Sequence, residues 1–142
     1  MKADSNEQVV LAFLQDVLNG HNDHHAASYI TADVAWHAGT LGTVTGRDDV
    51  AAVFTALVQA IPDLEAEIKD IFGHGDKVAV RLVVSGTQTR PILGIPATGH
   101  HLEWDAIDVF RLENHKIAEE WAAEDFTAIL RDTGTYKAPW IP

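Results

Sequence analysis

Apolar residues recur every three or four positions in two stretches of the first half of the chain. The first stretch follows Ser5, a residue type that favours helix starts, and ends at Asn19-Gly20. The second predicts a helix over residues 47–60, with Pro62 beyond its end. Between them we predict a shorter helix over residues 23–30, a strand over 33–38 and a turn-rich link over 41–46.

After Pro62 the period of the pattern changes to two, which predicts strands over residues 64–72, 77–88, 101–112 and 116–123. Turns at 73–76 and 113–115 separate neighbouring strands, and the Pro- and Gly-containing segment 90–99 predicts a loop. A last short helix is predicted over 126–131. Helices followed by hairpin strands predict one α+β domain over residues 1–142, with a mostly antiparallel sheet.

The predicted strand over residues 101–112 carries apolar groups on both faces. One face holds Trp104, Ala106, Asp108 and Phe110, and the other holds Asp105, Ile107, Val109 and Arg111. A strand that is apolar on both sides needs cover on both sides. Helices can cover one face, and we expect a second copy of the chain to cover the other, which predicts a homodimer.

The composition argues against several classes of protein. The 142 residues are 46% apolar and 22% charged, as in a folded domain, and no apolar run approaches the roughly 20 residues that span a bilayer. The net charge of −11 disfavours nucleic acid and anionic membranes as partners. With no cysteine and no apolar leader segment, we expect a cytoplasmic protein without disulfides or thiolate chemistry.

Several short phrases occur in an order and spacing that resemble a known family. They are Asp33-Val-Ala-Trp-His37, Gly46-Arg47, Gly73-His-Gly-Asp76, Gly94-Ile-Pro-Ala-Thr-Gly99, Asp108-Val-Phe-Arg-Leu112 and Lys116-Ile-Ala-Glu-Glu-Trp121. Over residues 6–134 the chain resembles the SnoaL-like polyketide cyclases of the NTF2-like superfamily.

The resemblance implies an α+β cone, in which helices pack on a curved sheet and enclose a pocket for a flat hydrophobic ligand. Family cyclases close the last ring of anthracycline-type polyketide esters, in antibiotic biosynthesis, by intramolecular aldol condensation. They use an Asp and a His from the last two strands and need no metal or organic cofactor. In this chain the His position falls at Asp108 and the acidic position at Ala122, so the resemblance leaves the cyclase reaction itself open.

Asp108 interrupts an apolar strand face, where an unpartnered carboxylate is costly. In an apolar pocket its pKa would rise, which suits acid or base catalysis; the alternative is a rim carboxylate paired with an arginine. A two-residue hairpin through Asn114-His115 places Trp121 opposite Asp108 on the same face, unless a β-bulge intervenes. Trp104 and Trp121 would then stack on an aromatic substrate, or pack in the core or in a dimer interface.

The first and last strands supply further candidates. Trp36 and His37 point to opposite faces, and His37 could polarise a carbonyl group or bond to backbone in the core. One of Glu119 and Glu120 must face inward, where it could pair with Asp108; the alternative is a solvated surface acid. We take Glu120 as the inward candidate.

Two histidine-containing segments and one aspartate are the remaining residues that we consider for a functional or capping role. The stretch His21-Asn-Asp-His24-His25 lacks a metal-site pattern, so we expect a polar turn and no bound metal. His101 follows the predicted loop and is a candidate ligand contact at the pocket mouth. Asp125 is placed to cap the last helix. The sequence has no phosphate-binding glycine loop, no G-x-S-x-G elbow and no H-E-x-x-H motif.

The leading hypothesis is a cofactor-independent acid/base enzyme acting on a hydrophobic polyketide-type carbonyl compound, by ring closure or by a derived hydroxylation or isomerisation. Asp108 would transfer the proton and His37 would polarise the carbonyl group. The substrate would contact Trp36, Trp104, Trp121, His101 and Glu120. The alternative is a non-catalytic small-molecule-binding or interaction module, because a fold does not fix a function.

Overall fold

Residues 5–142, which the computed structural model describes, form three α-helices and six β-strands. The helices are α1 (Asn6–Phe13), α2 (Arg47–Ala60) and α3 (Phe126–Asp132). The strands are β1 (Ile30–His37), β2 (Thr43–Thr45), β3 (Glu65–His74), β4 (Lys77–Thr87), β5 (His101–Glu113) and β6 (Lys116–Glu124). A π-helical segment (Leu14–Asn19) and 3₁₀ turns (Asp23–Tyr29 and Gly39–Leu41) connect the first elements.

Local sequence signals explain where the helices begin. The Ser5 hydroxyl accepts a hydrogen bond from the Gln8 backbone N–H at 3.2 Å, while the Gln8 side chain accepts one from the Ser5 N–H at 2.8 Å. This reciprocal pair satisfies N–H groups that a helix start leaves free. At α3 the Asp125 side chain accepts from the Ala128 N–H at 3.2 Å, which confirms the predicted cap.

The strand order in the sheet is β2-β1-β6-β5-β4-β3, and β1 with β6 is the parallel pair. The helices pack against one face, here called the inner face, and the opposite face is called the outer face. This arrangement confirms the predicted fold class, an NTF2-like cone with a mostly antiparallel sheet. The short strand β2 lies in the segment predicted as a link, where its few residues carry too little pattern to indicate a strand.

Two β-bulges set which side chains face inward. In β3, Ile68 pairs with Leu82 but Asp70 pairs with Arg81, so Lys69 is an extra residue. In β6, Ile117 pairs with Leu112 but Glu119 pairs with Arg111, so Ala118 is an extra residue. Each bulge reverses the alternation of side chains along the rest of its strand.

Aromatic packing joins the helices to the inner face. The Phe13 ring lies edge-on to Phe54 of α2, with centroids 5.1 Å apart, and 6.4 Å from Phe110 of β5. Phe13 and Phe110 are fully buried. Edge-to-face pairs at such distances contribute about 0.5–1.5 kcal/mol beyond their burial. These ring contacts hold α1 and α2 against the inner face of the sheet. The candidate site lies next to them, between the helices and the inner face.

The outer face carries an apolar patch, defined here as Phe72, Ala79, Ile107, Val109, Trp121 and Ala123. These residues lie in register across β3, β4, β5 and β6. Phe72 is 64% exposed and Ile107 is 56% exposed, far more than core residues of their type. The expectation that β5 is apolar on both faces is therefore confirmed.

Candidate functional site

A cavity of about 380 Å³ lies between the helices and the inner face of the sheet. Small-molecule sites in proteins typically measure roughly 300–1,000 Å³. The wall is mostly apolar and is built from the sheet, from α2 and from α3. Apolar lining residues from these elements are Trp36, Val53, Leu57, Trp104, Phe126 and Ile129.

The loop between β4 and β5 is held at the cavity by Gln88, a fully buried residue. The Gln88 Nε2 atom donates to the carbonyl oxygens of Ile95 (3.2 Å) and Pro96 (3.1 Å), and its Oε1 atom accepts from the Thr98 hydroxyl at 2.8 Å. Residues 91–93 of this loop line the cavity. The predicted loop is thus an ordered part of the wall.

Three carboxyl groups converge on the inner face of β5 and β6. Asp108 of β5 is 3% exposed and pairs across the ladder with Ala122 of β6. Glu120 and Glu124 stand two residues before and after Ala122, and therefore on the same face. Glu120 is buried, and Glu124 lines the cavity. The result is an acidic cluster, here meaning Asp108, Glu120 and Glu124, at the wall of an apolar cavity.

Burial raises the pKa values of all three groups. The pKa of Asp108 lies well above its ordinary range, first because of burial and then because of the neighbouring Glu120 and Glu124 charges. Burial and the Glu124 charge raise the pKa of Glu120 to about 8. Burial raises the pKa of Glu124, while hydrogen bonds from Trp104 and Asp108 oppose that change. Of the three groups, Glu120 therefore keeps its proton at neutral pH.

Two indole groups of the cavity contact this cluster. The Trp104 Nε1–H donates to the Glu124 Oε2 atom at 2.9 Å, and the Trp36 side chain lies near enough to Glu120 to oppose the rise in the pKa of that group. The Oδ1 atom of Asp108 is buried and has no hydrogen-bond partner among the described residues. Buried polar atoms without partners are uncommon and call for an explanation.

A family model described as SnoaL-like polyketide cyclase matches residues 8–133. The chain belongs to this family. Its membership supports a cyclase-type role and a small hydrophobic ligand. No curated protein sequence matches the chain.

Solved structures share the fold of this SnoaL-like chain. A proposed SnoaL-like polyketide cyclase from Jannaschia sp. CCS1 aligns with a TM-score of 0.84 at 20% identity, over 96% of this chain and 99% of that one. AclR, a proposed hydroxylase from Streptomyces galilaeus, gives 0.81 at 22% identity over 96% and 88%. IdmH, a proposed polyketide cyclase from Streptomyces antibioticus, gives 0.75 at 26% identity over 92% and 99%.

The prediction that Trp121 lies opposite Asp108 is wrong. Trp121 pairs with Val109 and faces outward, 37% exposed, while Ala122 occupies the place opposite Asp108. The cause is the bulge at Ala118, which shifts the ladder by one residue beyond the two-residue turn at Asn114-His115. Trp121 therefore cannot be a wall of the cavity in this SnoaL-like fold.

His37 also lies on the outer face, away from the cavity that Trp36 lines. Its Nε2 atom is 2.6 Å from the Glu119 Oε2 atom, and its Nδ1 atom is 2.9 Å from the Thr43 Oγ1 atom. Its ring stacks on Trp121 with centroids 5.7 Å apart. The structure therefore separates His37 from Asp108, and the proposed role for His37 as a carbonyl polariser loses its geometric basis.

Of the remaining candidates from the sequence, one faces inward and the others lie away from the cavity. Glu120 faces inward as predicted, whereas His101 is exposed at the start of β5 and does not line the cavity. In the predicted polar turn, His21 bonds to the Leu64 carbonyl oxygen at 2.8 Å and His25 bonds to Asp16 at 3.0 Å. Within residues 5–142 no group of three or more histidine, aspartate or glutamate side chains could hold a metal ion.

Glu124 is the site residue that sequence reasoning did not select. The face on which it lies depends on the Ala118 bulge, which the sequence pattern does not reveal. One signal was available: residues 120, 122 and 124 share a face by period two, so an inward Glu120 requires an inward Glu124.

None of the helices within the described residues has the length and apolar character needed to cross a membrane.

Proposed function

We propose that this chain is a cofactor-independent acid/base enzyme that moves protons next to the carbonyl group of a hydrophobic, polyketide-type compound. One observation carries the proposal. Among the described residues, Glu124 is the ionisable side chain at the wall of an apolar cavity, and the buried Asp108, whose Oδ1 atom has no partner among them, lies beside it. Raised pKa values make such carboxyl groups effective proton donors and acceptors near neutral pH.

In the proposed reaction, the cavity holds the ring system between Trp36 and Trp104. An ionised carboxylate at Glu124 takes a proton from the carbon next to the carbonyl group, and the electron pair moves to the carbonyl oxygen to give an enolate. Glu124 then returns the proton to carbon. Alternatively, the enolate carbon attacks a second carbonyl group of the same molecule, which closes a ring, and the alkoxide oxygen formed at that carbonyl takes the proton from Glu124. Asp108 shares a proton with Glu124 and acts through it.

Deuterium exchange tests this chemistry without knowledge of the native substrate. The wild-type chain should accelerate uptake of deuterium at the α-carbon of 1-tetralone in D₂O, followed by NMR. Glu124→Gln and Asp108→Asn should each slow exchange by roughly 100-fold or more. Asp105→Asn, an exposed residue of the same strand, is the control. Equal exchange in all four proteins would contradict the proposal.

A non-catalytic binding module is the second candidate. Ala122 favours it, because a methyl group stands opposite Asp108 at the position where the family resemblance implies an acid. This candidate expects 1-tetralone to bind in the cavity with no exchange above the buffer rate.

We also propose that the outer apolar patch joins two copies of the chain. Its members span four strands, and Phe72, Ile107 and Trp121 would each lose exposed apolar area on association. Burial of apolar surface is the main force in such interfaces.

A further inference from the structure

Among the described residues, the cavity wall carries an acidic side chain and no basic one. Glu124 is the ionisable side chain among the described residues that line it, and no lysine, arginine or histidine does so. A ligand in this cavity therefore meets apolar walls and one acidic group. Recognition of an anionic ligand would need a cation or a set of N–H donors, which this wall does not present.

The groups behind Glu124 add negative charge. Asp108 on β5 and Glu120 on β6 are its titratable neighbours within the sheet. The residues that α2, α3, the Gly39–Leu41 turn and the 91–93 loop bring to the wall are uncharged. Asp108 and Glu120 are thus buried, and Glu124 is half-buried, without a positive partner among residues 5–142. The Asp108 Oδ1 atom has no hydrogen-bond partner among these residues either.

Aromatic rings stand next to this acidic cluster. Trp36, Trp104 and Phe126 line the cavity, and the Trp104 Nε1–H holds the Glu124 carboxyl group at 2.9 Å. The faces of tryptophan and phenylalanine rings attract ammonium groups, most strongly when water is excluded. A ligand ammonium beside Glu124 would supply the positive charge that the cluster lacks.

We propose that the cavity binds hydrophobic compounds that carry an ammonium group, with the cation beside the Glu124 carboxylate and the indoles of Trp36 and Trp104. This ligand class goes beyond the proposed function, because it concerns the charge of the ligand and requires no turnover. Since the cation favours ionised carboxyl groups, binding releases a proton from the acidic cluster to solvent.

Three probes with the same ring system and different charge test this ligand class. They are the trimethyl(2-naphthylmethyl)ammonium cation, neutral 2-acetylnaphthalene and the 2-naphthoate anion. The quaternary cation keeps its charge at every pH, so any pH dependence of its binding arises in the protein. Isothermal titration calorimetry at pH 7.5 gives the affinities, and two buffers with different ionisation enthalpies give the number of protons released.

The cation should bind at least tenfold more tightly than the ketone, and the ketone more tightly than the anion. Cation affinity should rise from pH 5.5 to 7.5 with measurable proton release, because the cation lowers the pKa values of the acidic cluster, in which Glu120 still holds most of its proton at pH 7.5. Glu124→Gln should remove the cation preference while still binding 2-acetylnaphthalene, which shows that the cavity is intact. Glu119→Gln, an acid on the same strand that faces outward, should keep the preference at pH 7.5.

Equal affinities for cation and ketone in the wild-type chain, or cation binding without proton release, would overturn the inference. So would an unchanged cation preference in Glu124→Gln. Deuterium exchange on 1-tetralone separates this result from the proposed function: a chain that catalyses exchange but does not prefer the cation refutes the ligand class alone. Cation preference without exchange refutes the catalytic proposal alone.

Discussion

Replacing Glu120 by glutamine should make the stability of this chain less sensitive to pH. Glu120 has an ordinary pKa of 4.5, and burial with the Glu124 charge raises it to about 8 in the folded chain. Between these values the folded chain keeps the proton and the unfolded chain loses it, so stability falls as pH rises. Below pH 4.5 both states are protonated and Glu120 contributes no pH dependence.

The magnitude follows from this pKa change. Each pH unit inside the window lowers the free energy of unfolding by about 1.4 kcal/mol. Across pH 5.5 to 7.5 the Glu120 contribution therefore lowers stability by roughly 3 kcal/mol, a large share of the 5–15 kcal/mol that a domain usually has. Glu120→Gln keeps the length of the side chain and one acceptor oxygen, and it removes this loss.

Urea denaturation at pH 5.5, 6.5 and 7.5, followed by the fluorescence of the four tryptophans, measures the effect. The free energy of unfolding of Glu120→Gln minus that of the wild type should grow by roughly 3 kcal/mol from pH 5.5 to 7.5. Glu65→Gln changes an exposed glutamate on β3, so its difference from the wild type should stay constant. A constant difference for Glu120→Gln as well would refute the placement of Glu120 as a buried, proton-retaining acid.

Two further substitutions test the cavity loop and the outer face. Gln88→Leu removes the side-chain donor to the Pro96 carbonyl oxygen and the acceptor for the Thr98 hydroxyl, so it should lower the free energy of unfolding by roughly 2–4 kcal/mol in urea; an unchanged midpoint would mean that the loop does not depend on this amide. Ile107→Glu places a charge in the outer apolar patch and should turn the proposed dimer into a 15.5 kDa monomer by light scattering. A monomeric wild type at micromolar concentration would rule the dimer out.

Regular periodicity is what made the main elements predictable from sequence. The helix over residues 47–60 is observed as Arg47–Ala60, because its apolar stripe is unbroken and Pro62 follows it. The strand over 101–112 is observed as His101–Glu113, because alternation persists along its whole length. Elements with little pattern were less predictable: β2 has three residues, and β1 begins three residues earlier than predicted.

The candidate site was only partly predictable, because it depends on contacts that one strand's sequence does not contain. Asp108 could be selected from the apolar face that it interrupts, and it is buried as expected. The cavity wall from α2, α3 and the 91–93 loop is tertiary. A regular hairpin register predicts an inward Trp121, and alternation along the first strand leaves open which of Trp36 and His37 faces inward. His37 and Trp121 both lie on the outer face, where their rings stack.

The bulge at Ala118 decides which set of β6 residues reaches the cavity. With that extra residue, Glu120, Ala122 and Glu124 face inward; without it, the turn at Asn114-His115 would bring their neighbours inward in their place. The family resemblance implies an acid at the position of Ala122. Because side chains repeat every two residues, an acid can move to 120 or 124 and remain on the inner face. Glu124 fits this displacement, since it stays beside Asp108 and also reaches the cavity wall. The loss of the acid at one position is therefore compatible with an acid/base site, and the strand geometry indicates where the replacement must stand.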